Sequence, residues 1–334
     1  MSNSMMDKGK IMTELLYEKS LKSCSVVIPV FNSAETLEPL ISRLSKVLPN
    51  IHPDYEVILV NDGSRDTSWK TICLLSHKYR WVKGINLMRN YGQHNAVLCG
   101  IRAAQYDIIV TMDDDLQHPP EEIQRLINKL NEGFDVVYGS PHKMPHSLWR
   151  NLSSRVSKRV LAFVMGIKTV KEISAFRAFR SELRKAFSAY QAPGVIVDVL
   201  LSWGTSRFVS IQVEENPREI GKSNYTFMKL LKQVFLILTG FSTIPLRIAS
   251  WFGFILTIFG LIAFLYVLFA TVTEGSIPGF PFLASTILLF SGAQLFALGI
   301  FGEYLARIFD RSMDQPPYVI GQTTSEDLIK SSGK

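Results

Sequence analysis

Three consecutive aspartates, Asp113-Asp114-Asp115, are the residues of this chain best suited to chemistry. In an extended backbone residues i and i+2 project to one side, so Asp113 and Asp115 can face a single ion while Asp114 points away. Hard carboxylate oxygens in this number suit Mg2+ or Mn2+, and Gln117 can add a neutral oxygen. Such ions keep water and bind substrate phosphates, so the grouping calls for a diphosphate-bearing ligand rather than a closed protein cage. Two further polar clusters, Pro29-Val30-Phe31-Asn32 and Asn61-Asp62-Gly63-Ser64, have turn-forming composition. Any one of the three is more often an ordinary solvated turn than a site. Their meaning depends on the elements that place them.

From residue 25 to residue 138 short β-branched runs alternate with amphipathic stretches, the pattern of βαβ units around a parallel sheet. The runs predict strands over 25–30, 55–60, 83–87, 108–112 and 135–138, with helices over 35–47, 68–76, 93–104 and 121–131. The last helix has good start chemistry, because Pro119 and Pro120 lack an N–H that would be unpaired there and Glu121 and Glu122 complement the dipole. Ligands of open α/β sheets bind beyond the carboxyl ends of strands. Each polar cluster directly follows a predicted strand, so the three should converge on one edge. Further on, a basic helical stretch over 149–164, a segment over 174–179 and a strand over 208–213 read as mixed α/β.

Composition changes sharply near Ser223. Residues 248–273 and 275–302 contain no charged residue, and each run exceeds the ~20 apolar residues a helix needs to cross a bilayer. Buried core helices rarely stay uncharged for so long, so two spans are expected, at about 248–273 and 278–302. Lys222, Lys229, Lys232 and Arg247 precede the first, Arg307 and Arg311 follow the second, and the connection between them has no Lys or Arg. That asymmetry, with no secretory signal at the start, predicts both termini on the cytoplasmic side of the plasma (inner) membrane. Phe227, Leu230, Leu231, Val234, Phe235 and Leu238 recur at helical spacing, as in an amphipathic helix lying on the bilayer over 221–244. The expected organisation is a tail over 1–22, an α/β domain over 23–220, the amphipathic helix over 221–244, the spans within 245–310 and a tail over 311–334.

Cys24, Cys73 and Cys99 have neither metal-type nor redox-type spacing and read as reduced core residues. A net charge of +7 suits nucleic acid, a membrane surface or anionic substrates. No aromatic-interleaved nucleic-acid module is visible, and the apolar runs favour the other two partners.

Three motifs, Ser25-Val-Val-Ile-Pro-Val-Phe-Asn32, Val60-Asn-Asp-Gly-Ser64 and Met112-Asp-Asp-Asp-Leu-Gln-His-Pro-Pro120, resemble the signatures of family-2 glycosyltransferases with a GT-A fold, a Rossmann-like α/β domain with a mostly parallel sheet. Asn90-Tyr-Gly-Gln-His94, Ser174-Ala-Phe-Arg-Ala-Phe-Arg180, Gly221-Lys-Ser-Asn-Tyr225 and the two spans narrow the likeness to the polyprenyl-phosphate transferases. These include bactoprenol glucosyltransferases, dolichyl-phosphate mannose synthases and undecaprenyl-phosphate aminoarabinose-type enzymes. The resemblance implies inverting transfer from a nucleotide sugar, UDP-glucose or another UDP-sugar first, to undecaprenyl or dolichyl phosphate. The product would be a lipid-linked sugar for cell-envelope glycan or lipopolysaccharide modification.

Carried onto this chain, the resemblance puts Pro29, Asn32 and Asp62 at the nucleoside. It puts Asp113, Asp115 and Gln117 at the metal and diphosphate, Arg150 and Arg177 at the acceptor phosphate, and Lys222 and Ser223 on a loop that closes over the donor. Asp115, Arg177 and Arg150 would then carry the catalytic step. The chain departs from the family in placing Ser33 and Ala34 before Glu35 and in having Asp114 where Ala is common. The likeness also implies a homo-oligomer, a tetramer being one form. Small residues Gly292, Ala293, Ala297, Gly299 and Gly302 offer a close helix contact, within one chain or between chains. Two rivals share part of this pattern: a processive polysaccharide synthase, whose Gln-x-x-Arg-Trp segment is missing here, and a catalytically silent nucleotide-sugar sensor or scaffold.

Overall fold

The computed structural model describes residues 23–141, 173–192, 194–216, 243–274 and 279–325. Two compact units emerge, one made of Met1–Tyr225 with Gln315–Lys334 and the other of Thr226–Asp314.

The first unit is an α/β domain. Its strands are β1 (Ser23–Val30), β2 (Asp54–Asn61), β3 (Val82–Leu87), β4 (Ile108–Thr111), β5 (Val136–Pro141), β6 (Arg177–Arg180), β7 (Phe208–Val213) and β8 (Ile320–Thr323). Its helices are α1 (Ala34–Ile51), α2 (Ser68–Lys78), α3 (Gln93–Ala103), α4 (Ile123–Asn131) and α5 (Val197–Ser202). All eight residues of β1 are buried, which its near-continuous apolar run requires of a central parallel strand covered on both faces. Leu37, Leu40, Ile41, Leu44 and Leu48 of α1 form the stripe that covers one face. Each such side chain contributes about 1.5–3 kcal/mol when removed from water.

One eight-stranded sheet runs in the order β7-β5-β6-β4-β1-β2-β3-β8. β1 pairs in parallel with both β2 and β4, and the chain progresses outward from β1 in opposite directions, so the switch point lies between β1 and β4. A crevice opens at that point beyond the carboxyl ends of the strands.

Two strands were not foreseen in this form. The segment read only as 174–179 becomes β6, antiparallel to both β4 and β5 and wedged between them. The supposed tail over 311–334 is corrected by β8, which pairs antiparallel with the edge of β3. Ile-Gly-Gln-Thr lacks the apolar alternation that flags a strand; β3 supplies the unpaired backbone groups that make it one.

The second unit contains α6 (Ile244–Glu274, 31 residues) and α7 (Phe280–Ser312, 33 residues). Many of their large apolar side chains are exposed, among them Trp251, Phe259, Phe269, Leu295 and Phe301. Among the described residues one helix is long and apolar enough to cross a membrane, with a window at Pro245–Ile262. The amphipathic helix expected over 221–244 and the basic stretch over 149–164 lie outside the described residues.

Candidate active site

The switch-point crevice holds a cavity of about 350 Å3 lined by Pro29, Phe31, Asp62, Asn90, Gly92, Gln93 and the three aspartates Asp113, Asp114 and Asp115. The three polar clusters therefore meet at one edge. β1 delivers Pro29 and Phe31, β2 delivers Asp62, and β4 ends two residues before Asp113.

Asp62 is 2% exposed, and its carboxylate accepts the backbone N–H groups of Tyr91 (2.7 Å) and Gly92 (2.9 Å). Burial pushes its pKa upward and those two bonds oppose the shift. Gly63 follows with φ +64°, and a Cβ there would lie 2.5 Å from the Arg89 carbonyl carbon and the Asn90 nitrogen. Only glycine permits so close an approach of the two loops. Gly92, at φ +94°, then turns the chain into α3, whose N-terminal turn faces the cavity through Gly92 and Gln93. The positive dipole end of α3 suits a phosphate anion.

The aspartates are held individually. Gln93 Nε2 donates to Asp113 Oδ1 at 2.6 Å, and the Gln117 N–H donates to Asp115 Oδ1 at 3.2 Å. Leu116 sits at φ +63°, a left-handed conformation that costs a leucine about 1–2 kcal/mol. Asn216 offsets this from a distant segment: its N–H donates to the Gln117 carbonyl at 2.9 Å and its Nδ2 to the Leu116 carbonyl at 3.2 Å.

Asp114 does not simply point away. It lines the cavity and accepts the Phe31 N–H at 3.3 Å, bridging the β4 loop to the β1 loop. Burial first, and then neighbouring Asp113 and Asp115, push its pKa up to about 6, although hydrogen bonds from Ser33 and Phe31 oppose them. The bridge is long and near solvent. Asp114→Ala is therefore expected to lower stability by less than about 1.5 kcal/mol, read as a small shift in thermal unfolding. A loss of several times that size would mean that the bridge is a main support of the β1 loop.

Other expected site residues fall elsewhere. Asn32, at φ +54°, does not line the cavity; its Oδ1 accepts the Arg65 N–H at 2.8 Å and its own N–H donates to Ser64 Oγ at 3.0 Å. It braces the loop after β2. Gln117 likewise lies outside the lining. Arg177 is 2% exposed and ion-paired with Asp198, while its Nε donates to Thr111 Oγ1 at 3.0 Å. The Tyr138 hydroxyl donates to the same Asp198 carboxylate at 2.8 Å. Register explains the cluster: Arg177 of β6 stands opposite Thr111 of β4 and Tyr138 of β5, so the three share a sheet face. The acceptor-phosphate role carried onto Arg177 thus meets a guanidinium already engaged inside the domain. Arg150, Lys222 and Ser223 lie outside the described residues. His118, 9% exposed, stacks on Phe176 at 5.1 Å, and burial lowers its pKa.

Residues 25–187 match the glycosyl transferase family 2. The undecaprenyl-phosphate 4-deoxy-4-formamido-L-arabinose transferase of Enterobacter sp. (strain 638) is 33% identical over 94% of this chain and 97% of its own length. The chain belongs to glycosyltransferase family 2. The similarly described enzyme of Proteus mirabilis is 33% identical to this family-2 chain over 91% of it and 94% of the relative. A solved structure of glucosyl-3-phosphoglycerate synthase from Mycobacterium tuberculosis, in complex with Mn2+, UDP-glucose and phosphoglyceric acid, superposes with a TM-score of 0.47. It is 18% identical and covers 66% of this chain and 79% of that one.

Three supports of this family-2 site escaped sequence reading. Gln93 stands within the Asn90–His94 motif, but its contact with Asp113 shows only once α3 and the loop after β4 are adjacent. Asp66 ties the N-termini of two helices through Ser68 and Ala34, at 2.6 Å to Ser68 Oγ and 3.2 Å to the Ala34 N–H. Asn216 acts across a separation of 100 residues, and no local pattern marks it.

Proposed function

We propose that the chain transfers a sugar from a nucleotide-sugar donor to a polyprenyl phosphate, undecaprenyl or dolichyl, with inversion at the anomeric carbon. The observation that carries this reading is the meeting of Asp62, the α3 N-terminus, Asp113 and Asp115 around one cavity at the sheet switch point. Relatives described as undecaprenyl-phosphate transferases over nearly the whole chain support the acceptor class.

Among the described residues no group of three or more His, Cys, Asp or Glu forms a metal cage. Asp113 and Asp115 on one cavity wall nevertheless fit Mg2+ or Mn2+, ions that take one or two protein carboxylates and leave their other positions to water and phosphate. When bound, the ion would supply Lewis-acid stabilisation to the departing diphosphate. Pro29 and Asp62 frame the nucleoside, and the first N–H groups of α3 face the phosphates. The acceptor is a phosphate monoester whose second pKa is about 6, so its attacking oxygen is already ionised at neutral pH. That oxygen forms the new bond to the anomeric carbon as the bond to diphosphate breaks. The carboxylates hold and orient; none has to remove a proton.

The membrane reading extends the same proposal. The chain leaves the α/β domain before α6 and β8 rejoins its sheet after α7, so any crossings must be even in number. At 1.5 Å per residue helices of this length run about 46 and 50 Å, more than the ~30 Å of a hydrocarbon core. Two spans with the catalytic domain on the cytoplasmic side satisfy both conditions. In this reading residues 23–220 are the transferase domain and 245–310 the anchor. A methyl group placed on Gly292, Gly299 or Gly302 would meet no described atom within 4 Å, which leaves that helix face open to a second copy in a homo-oligomer.

The test is a panel of labelled UDP- and GDP-sugars, with UDP-glucose and the UDP-linked formamido-arabinose first, offered to membranes with undecaprenyl phosphate. Label in the lipid extract, dependent on Mg2+ or Mn2+, is expected for at least one UDP-sugar. Donor hydrolysis without lipid labelling across the whole panel would overturn the acceptor assignment.

A further inference from the structure

The segment that follows α7 makes a set of contacts that no anchoring role requires. β8 and its flanks pair with the outer edge of β3: the Met88 N–H donates to the Val319 carbonyl at 3.0 Å, the Thr324 N–H to the Gly84 carbonyl at 3.0 Å, and the Gly84 N–H to Thr324 Oγ1 at 2.8 Å. Side chains add to this. Trp69 Nε1 donates to Gln322 Oε1 at 3.0 Å, and the Arg102 guanidinium lies 5.8 Å from the centre of the Tyr318 ring.

Met88 also begins the loop that reaches the cavity. Tyr91 and Gly92 of that loop donate both backbone bonds received by Asp62, and the Arg89–Asn90 backbone packs against Gly63. The loop is thus held at one end by the Asp62 carboxylate and at the other by β8. Residues 315–324 thus lie as a strap beside the loop, and between the two is a second cavity of about 360 Å3, lined by Arg89, Asn90, Tyr91, Asn95 and Gln315-Pro316-Pro317. Asn90 lines both this cavity and the first.

We infer that residues 315–324 are a positioning element of the donor site, which holds the 88–92 loop in the conformation that receives the nucleotide. The inference rests on the proposed donor role of the Asp62 cavity. Its physical basis is preorganisation: a loop already ordered against Asp62 and β8 loses less freedom when a ligand arrives. Because Gln315 follows Ser312, the last residue of α7, by only three positions, nucleotide affinity depends on the segment that leaves the long helices. Tyr318 and Gln322 do not touch the nucleotide in this scheme; they act through Met88, Tyr91 and Gly92.

Gln322→Pro tests this in the full chain. It withdraws a backbone N–H opposite Asn86 and the side-chain oxygen that Trp69 uses. UDP binding with Mn2+ is expected to weaken about tenfold, with the donor KM rising alike and the KM for undecaprenyl phosphate unchanged. Amide exchange at Met88, Tyr91 and Gly92 should quicken together. Should Gln322→Pro not fold, Tyr318→Ala removes the contact with Arg102, and Tyr318→Phe, which keeps the ring, should restore affinity. Faster exchange at Met88 with UDP affinity within about twofold of the parent would overturn the inference. If the parent chain itself binds no UDP or GDP, the donor reading fails instead. Exchange at Tyr91 and Gly92 then decides the strap: coupled to Gln322→Pro it stands as a loop support, and uncoupled it falls.

Discussion

Asp115→Ala is expected to reduce the proposed sugar transfer by about 10³-fold or more while the chain stays folded, the scale seen when one preorganised electrostatic group is removed from a site of charge development. Asp115 lines the cavity, and its Oδ1 accepts the Gln117 N–H at 3.2 Å. Asp115 is half-buried and lies outside the hydrophobic core, so its removal leaves the core packing in place. The loss should appear in kcat as well as kcat/KM, because the leaving diphosphate gains charge only as the bond breaks. Added Mg2+ or Mn2+ should not rescue it. Near-parental turnover at saturating metal would remove Asp115 from the chemistry and leave Asp113 as the principal carboxylate.

The second large effect concerns stability. Arg177→Ala is expected to destabilise the α/β domain by about 3–5 kcal/mol, because Asp198, 5% exposed, would be left as a buried charge without its partner. Thermal unfolding followed by thiol labelling reads this directly, since Cys24 and Cys99 are buried and react only when the core opens. Replacing the cluster by apolar residues of similar volume, Arg177→Met with Asp198→Leu and Tyr138→Phe, should recover most of the loss. That triple variant also separates two roles for Arg177. If the guanidinium only supports the junction of β4, β5 and β6, acceptor KM stays near the parent value. A stable triple variant with a strongly raised acceptor KM would return Arg177 to the lipid phosphate.

Several features were fully legible in the amino-acid sequence. β1, β2 and β4 are short apolar runs bounded by turn residues, and their burial on both faces follows from having no polar side to expose. The clusters Pro29–Asn32, Asn61–Ser64 and Asp113–Asp115 could be assigned to one edge because parallel strands all end on the same side. Pattern alone also marked two apolar runs in residues 248–302, each longer than a bilayer crossing needs.

The remaining features depend on long-range packing, which local pattern cannot carry. Asn32 and Asp62 come from similar turn clusters, yet one braces a loop and the other lines the cavity, because only packing of the two loops settles which side chain turns inward. Arg177 looks like a cation awaiting an anion until β6 inserts antiparallel between β4 and β5 and sets it against Thr111, Tyr138 and Asp198. β8 has no intrinsic strand signal, and it becomes a strand because β3 offers an open edge more than 230 residues away in sequence. Residue type and hydrophobic period are local properties, so the chemistry available and the edge where it gathers could be read without the fold. Which of those residues line the cavity, which hold the others in place, and that β8 and its flank hold the loop beside Asp62 depend on long-range pairing, and only the fold supplies it.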